Sequence, residues 1–228
     1  MKRNVFVRTG NVLEFFNVAE NLQMVEAGLP GMGLVHGVKG LGKTTVAIHY
    51  AAQKDNNAIY VRGKGDWSYT WMMDEMLFEL GVTPRRGEKA KHDDLVGALL
   101  DYPRLIIVDE TNIIKSSLLE TLRAVHDLTQ NPFLFIGHEG VGERLMRMGP
   151  FFDRIIFKTE LKPLRLEDLE VYCAEALDLP IDGEVIKAVL TRASGNFRKS
   201  VAQLKNLEDQ AKVRGLDRID LKTFKEAA

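Results

Sequence analysis

The residues whose types and spacing carry the most chemistry are Gly37-Val38-Lys39-Gly40-Leu41-Gly42-Lys43-Thr44, a G-x-x-x-x-G-K-[ST] run. Glycines let successive backbone N–H groups close around phosphates, and Lys43 brings a charge to the β- and γ-phosphates. The Thr44 hydroxyl is a ligand for Mg²⁺, and Thr45 follows it in the same nucleotide-contacting stretch. A second run, Leu105-Ile106-Ile107-Val108-Asp109-Glu110, is an apolar segment ending in two carboxylates. Asp109 suits Mg²⁺, through water, and Glu110 suits orienting or deprotonating an attacking water. His138 follows another apolar run, Phe133 to Ile136, through Gly137. There it could bond that water or the γ-phosphate. Together these groups point to hydrolysis of a nucleoside triphosphate.

Such groups must be held at the ends of strands. Leu34-Val35-His36 reads as a short strand before the glycine run. Thr44 to Gln53 reads as the helix after it, with Val46, Ala47, Tyr50 and Ala51 on one face. Ala58–Val61, Leu105–Val108, Phe133–Ile136 and Ile155–Phe157 bring the strands to five. Trp71–Leu80, stopped by Gly81, reads as a helix with Trp71 in its core face. Leu95 and Leu99 mark another short helix, and Ser117 with Glu120 resembles a capping box. Strands alternating with helices predict an α/β fold with a parallel five-stranded sheet. After Leu161-Lys162-Pro163-Leu164 the strand signals stop. The expected division is therefore an α/β core over residues 1–161 and a small all-helical lid over 162–228, with breaks near Leu179-Pro180 and Ser194-Gly195.

The 228 residues carry Lys+Arg 31 against Asp+Glu 32, a net charge of -1. That excludes a polybasic-tail mode of nucleic-acid binding and leaves local patches. A single cysteine excludes an internal disulfide framework and fits a reducing compartment. Cys173 falls in an apolar-periodic helix and reads as core. No apolar run reaches the roughly 18 residues of a membrane span. The basic start Met1-Lys2-Arg3-Asn4 has no apolar stretch behind it, so no secretory signal is read and a cytoplasmic location is expected.

Taken together, these motifs resemble an AAA+ ATPase. Phe151-Phe152-Asp153-Arg154-Ile155-Ile156 with Leu161-Lys162-Pro163-Leu164 resembles the arginine-finger strand and linker of the phage Mu transposition protein B family. Phe78-Glu79-Leu80-Gly81-Val82, Pro84-Arg85-Arg86 and Leu105–Glu110 are similar to it too, and ExeA-type secretion ATPases share the core. Ser194-Gly195-Asn196-Phe197-Arg198 looks like the sensor 2 segment of the lid. The resemblance implies an ATP- and Mg²⁺-dependent ATPase that assembles as a ring or filament on double-stranded DNA and delivers that DNA to a transposase. It further implies that Lys43, Thr44, Asp109 and Glu110 serve the nucleotide and that His138 takes the sensor 1 position. Arg198 would reach the γ-phosphate within the subunit, and Arg154 the nucleotide of a neighbour. The phage protein carries a helix-turn-helix domain ahead of its ATPase; none is read here, which leaves DNA binding to the ATPase core.

Arg62 and Lys64 form one basic loop, and Arg85 and Arg86, with Lys89 and Lys91, a second. Each is either a DNA contact or a solvated surface loop. Arg144 and Arg147 stand as alternatives to Arg154 as the finger; otherwise they form a solvated helix face. Trp67 and Trp71 could stack on a base or on adenine, Trp71 being better read as core. An ExeA-like envelope ATPase, a small-molecule P-loop kinase and a nucleotide-gated scaffold are the competing readings.

Overall fold

The computed structural model describes residues 1–2, 5–26 and 28–226. Arg3 and Asn4 of the N-terminal stretch therefore lie outside the described residues. Five strands, β1 Met32–His36, β2 Ala58–Arg62, β3 Leu105–Asp109, β4 Phe133–Ile136 and β5 Ile155–Glu160, form one sheet in the order β2-β3-β4-β1-β5. Every pairing is parallel. The two strands between β2 and β1, β3 and β4, are buried throughout. This is why their sequences read as continuous apolar runs: helices cover both faces of a parallel sheet. β5, at the opposite edge, alternates half-buried and exposed residues.

The helices are α1 Gly10–Gln23, α2 Lys43–Ala52, α3 Tyr69–Glu79, α4 Glu88–Asp101, α5 Ser116–Thr129, α6 Val141–Met146, α7 Gly149–Phe152, α8 Leu166–Ala176, α9 Gly183–Ala193, α10 Phe197–Val213 and α11 Leu221–Glu226. Among them α1 is not anticipated by the sequence patterns above. It buries Phe15, Val18, Ala19 and Leu22. A side chain at Gly33 of β1 would meet Leu22 Cδ1 at 2.7 Å, so a larger residue there would require Leu22 to shift.

Two compact units result. The α/β unit comprises Phe15–Gly37 and Lys43–Glu160; the helical unit comprises Met1–Glu14, Val38–Gly42 and Leu161–Ala228. The break after Glu160 falls one residue before the expected one, and the helical unit also takes in the N-terminus and part of the glycine run. Tertiary bonds account for the first of these. Val7 joins the core built by Leu169, Cys173, Val185 and Leu204, Gly10 N–H donates to Asp168 Oδ1 at 2.7 Å, and the Asn11 amide exchanges bonds with the Lys162 backbone.

Three local expectations are corrected. Trp71 is 40% exposed and lies under Lys64 Nζ, whereas Trp67 is buried in the sheet-and-helix core at 1% exposure. Met72, Met73, Met76 and Leu77 take the inward face of α3 and push Trp71 and Phe78 outward. Ser68 caps that helix by accepting from Trp71 N–H at 3.2 Å, a contact worth about 1 kcal/mol. Ser117 is not a cap: α5 begins at Ser116 with Lys115 before it, and no side-chain cap bond forms there. The helix around Leu95 and Leu99 is not short but spans 14 residues as α4.

Candidate functional site

Parallel register gathers the predicted groups at the carboxyl ends of the strands. Arg62 pairs with Asp109 across β2 and β3, Val108 with Phe135 across β3 and β4, and Val35 with Ile136 across β4 and β1. Arg62, Asp109–Glu110, Gly137–His138 and Gly37 thus follow one another, in that order, along one edge of the α/β unit. Strand order reverses at β1, and α/β sheets bind ligands outside their carboxyl ends at such a switch point.

Asp109, 3% exposed, is the hub. Its Oδ2 accepts from Thr44 Oγ1 at 2.6 Å and from the Tyr60 hydroxyl at 3.0 Å, and its Oδ1 accepts from Glu110 N–H at 2.7 Å. Burial, then the Asp109 charge, push the Tyr60 hydroxyl well above its usual range, so it stays a donor. Lys43, at the start of α2, is buried with its Nζ donating to Gly37 O at 2.7 Å. Thr45 occupies the first turn of α2 behind Thr44.

Glu110 follows with φ +54°, a left-handed conformation that is uncommon outside glycine. Its carboxylate lies 3.2 Å from His138 Nε2 and 3.7 Å from Arg62 Nη2. The backbone N–H of His138 donates to Asn112 Oδ1 at 3.2 Å. His138 Nδ1 is buried and, among the described residues, has no hydrogen-bond partner. Gly63 lets the chain after β2 pass close by, because a Cβ there would sit 2.6 Å from Ile114 and 2.8 Å from Asp109 O.

In the helical unit the glycine-run residues Val38–Gly42 meet the start of α10. Asn196, which caps α10 by accepting from Lys199 N–H, also donates through Nδ2 to Lys39 O at 2.7 Å. Arg198 N–H donates to Gly40 O at 3.0 Å, and the Arg198 side chain is exposed. Sequence reasoning quoted Asn196 only as part of a segment and missed its bond to the loop; its N-cap position before Phe197 was the available signal.

The remaining predicted residues are placed as follows. Arg154 sits just before β5 and pairs with Asp127, Nε–Oδ1 at 3.1 Å and Nη2–Oδ2 at 3.2 Å, while its Nη1 donates to Pro150 O. Arg144 is not on a solvated face: its guanidinium donates to backbone carbonyls of residues 111, 112 and 114. Arg147 is exposed at the end of α6. Lys64 pairs with Glu75, Arg85 with Asp94 at 2.6 Å, Lys89 with Asp93 at 2.8 Å and Lys91 with Asp74 at 2.6 Å. Arg86 is exposed beside them. Cys173 is buried, and burial pushes its thiol up to about 12. No described helix is long and apolar enough to cross a membrane.

The donor set fits a nucleotide with Mg²⁺. Gly40 and Gly42 have φ of +85° and +90°, and a side chain at Gly42 would meet nothing within 4 Å, which leaves that turn open to a ligand. In the α/β unit the Thr44 hydroxyl and Asp109 carboxylate are hard oxygen donors of the kind Mg²⁺ prefers. Fold and site together define a P-loop protein with a parallel α/β sheet and a helical C-terminal region. The model of the family described as the AAA domain matches residues 27–145, more than half of the 228, and the chain belongs to that family.

A potential ATP-binding protein of Staphylococcus aureus is 30% identical over 148 residues, covering 60% of this chain and 54% of its own. The ATP-dependent target DNA activator B of Escherichia phage Mu is 23% identical over 172 residues, 72% of this chain and 54% of its own. The chain thus spans about half the length of the curated relatives it matches. Among solved structures, Orc1 of Aeropyrum pernix in complex with DNA superimposes with a TM-score of 0.70 at 16% identity, covering 97% of this chain and 65% of that one. At that identity the likeness is one of fold.

Proposed function

We propose that the protein is an ATP-dependent, largely sequence-non-specific DNA-binding ATPase that assembles on duplex DNA, delivers it to a transposase and stimulates transposition. The observation that carries the ATPase reading is the cluster of Thr44, Asp109, Glu110 and His138 at one sheet edge, with Thr44 on Asp109 at 2.6 Å and His138 on Glu110 at 3.2 Å. The likeness to the phage Mu target DNA activator supports the DNA part.

In this reading the amides of Val38–Gly42 and the Lys43 ammonium bind the ATP phosphates. Thr44 and Asp109 hold Mg²⁺, which when bound neutralises phosphate charge. Glu110 accepts a proton from the attacking water, and His138 fixes the rotamer of that carboxylate. Arg198 contributes charge at the γ-phosphate from the helical region. Arg154 serves the nucleotide of a neighbouring subunit, so turnover depends on assembly, and Arg62, Lys64, Arg85 and Arg86 supply phosphate contacts to DNA.

A second reading, a nucleotide switch acting on a protein partner, is favoured by one observation: Arg62, Lys64 and Arg85 each face a carboxylate. Mg²⁺-dependent phosphate release with and without duplex DNA tests both. DNA-stimulated turnover lost in Lys43→Ala supports the first; turnover indifferent to DNA supports the second.

A further inference from the structure

Arg144 does something the nucleotide motifs do not require. Its Nη1 donates to Thr111 O at 3.2 Å and to Asn112 O at 2.7 Å, and its Nη2 donates to Ile114 O and, at 3.3 Å, to Ser116 Oγ. The three carbonyls belong to the turn that leaves Glu110, and Ser116 is the first residue of α5 just beyond it. Arg144 itself lies on α6, which starts three residues after His138. One guanidinium therefore ties the turn after Glu110 to the helix after His138.

That turn needs holding. Glu110 has φ +54° and Thr111 is completely buried, so the direction in which the Glu110 side chain leaves towards His138 depends on the backbone of this turn. The Asn112 side chain reinforces the same tie through His138 N–H.

We propose that Arg144 is a positioning residue for Glu110: its fork on the turn carbonyls sets the 3.2 Å Glu110–His138 pair in the geometry hydrolysis needs. This rests on the ATPase reading above. An arginine is suited to the task because its planar fork reaches several carbonyls at once. A lysine ammonium is a single point donor and leaves most of them unmet.

The test combines kinetics with hydrogen exchange on the full chain. Arg144→Ala and Arg144→Lys are expected to lower kcat by about ten- to a hundredfold, with KM and the affinity for a fluorescent ATP analogue kept within about twofold. Placed on Glu110→Gln, Arg144→Ala should lower the residual rate by less than about twofold, because two residues that act as a unit are not additive. Amides of residues 111–114 should exchange faster in both Arg144 variants, while β3 and β4 keep their protection.

Equal losses in the wild-type and Glu110→Gln backgrounds, or a loss confined to KM, would overturn the proposal. So would unchanged exchange at 111–114. If Arg144→Ala does not fold, Arg144→Lys carries every arm of the test. A wild-type chain that lacks turnover sinks the ATPase reading instead; the exchange data then still decide whether Arg144 holds the turn.

Discussion

Asn196 sits against Gly40 so closely that a methyl group on the glycine would lie 2.5 Å from the asparagine Oδ1. The same amide donates to Lys39 O, and the first turn of α10 donates from Arg198 N–H to Gly40 O. Two carbonyls of the glycine run are thus engaged from one helix start. Gly40→Ala adds both the clash and a left-handed φ of +85° for an L-residue, a cost on the order of 1–3 kcal/mol. It should weaken nucleotide affinity by about tenfold or more. Titration with a fluorescent ATP analogue checks this, and an affinity equal to wild type would show that the loop does not need this contact.

Glu110→Gln keeps size and polarity but cannot take a proton. Phosphate release should fall by about 10²-fold or more, while ATP binding persists and residence on DNA lengthens. A dissociation time from DNA equal to wild type would remove hydrolysis as the releasing step. His138→Ala should slow turnover with little change in ATP affinity, since its ring nitrogen meets the Glu110 carboxylate.

Arg62, proposed as a DNA contact, also has its Nη2 3.7 Å from the Glu110 carboxylate. A DNA phosphate that draws Arg62 away changes the charge beside Glu110. Arg62→Ala should therefore flatten DNA stimulation of turnover and reduce the salt dependence of DNA binding by about one phosphate contact. Phosphate release measured across a DNA titration reads the first effect; stimulation as large as in the wild type would separate Arg62 from hydrolysis.

Cys173 gives a check on the helical unit. Burial raises its thiol pKa to about 12, so the reactive thiolate is absent in the folded chain at neutral pH and forms only as pH climbs towards that value. A thiol reagent at pH 8 should leave the native protein unmodified and label its one cysteine after denaturation. Rapid labelling of the native protein would mean that α8 opens readily.

The strands and the nucleotide motifs were legible because each is local. Phe133–Ile136 is an unbroken apolar run that can only be buried on both faces, and the glycine run lies where strand gives way to helix. The faces of α3 were not legible, since Trp71, Met72, Met73, Met76, Leu77 and Phe78 nearly encircle it and only packing against the sheet chooses the inward side. Nor could spacing reveal that Arg85 is bound to Asp94, or that Arg144 reaches back some thirty residues to the turn after Glu110. Those pairings are made by tertiary geometry. Asn196 lies between the two cases, a helix cap by pattern and a partner of the glycine run only through the fold.

The most direct measurement is fluorescence anisotropy of a labelled non-specific duplex with ATP, with ADP and without nucleotide, at several salt concentrations. The account predicts cooperative binding with ATP alone, weakened steeply by salt and abolished by Lys43→Ala. An absence of binding in every nucleotide state, in a preparation that hydrolyses ATP, would contradict it and leave a nucleotide switch that acts on protein.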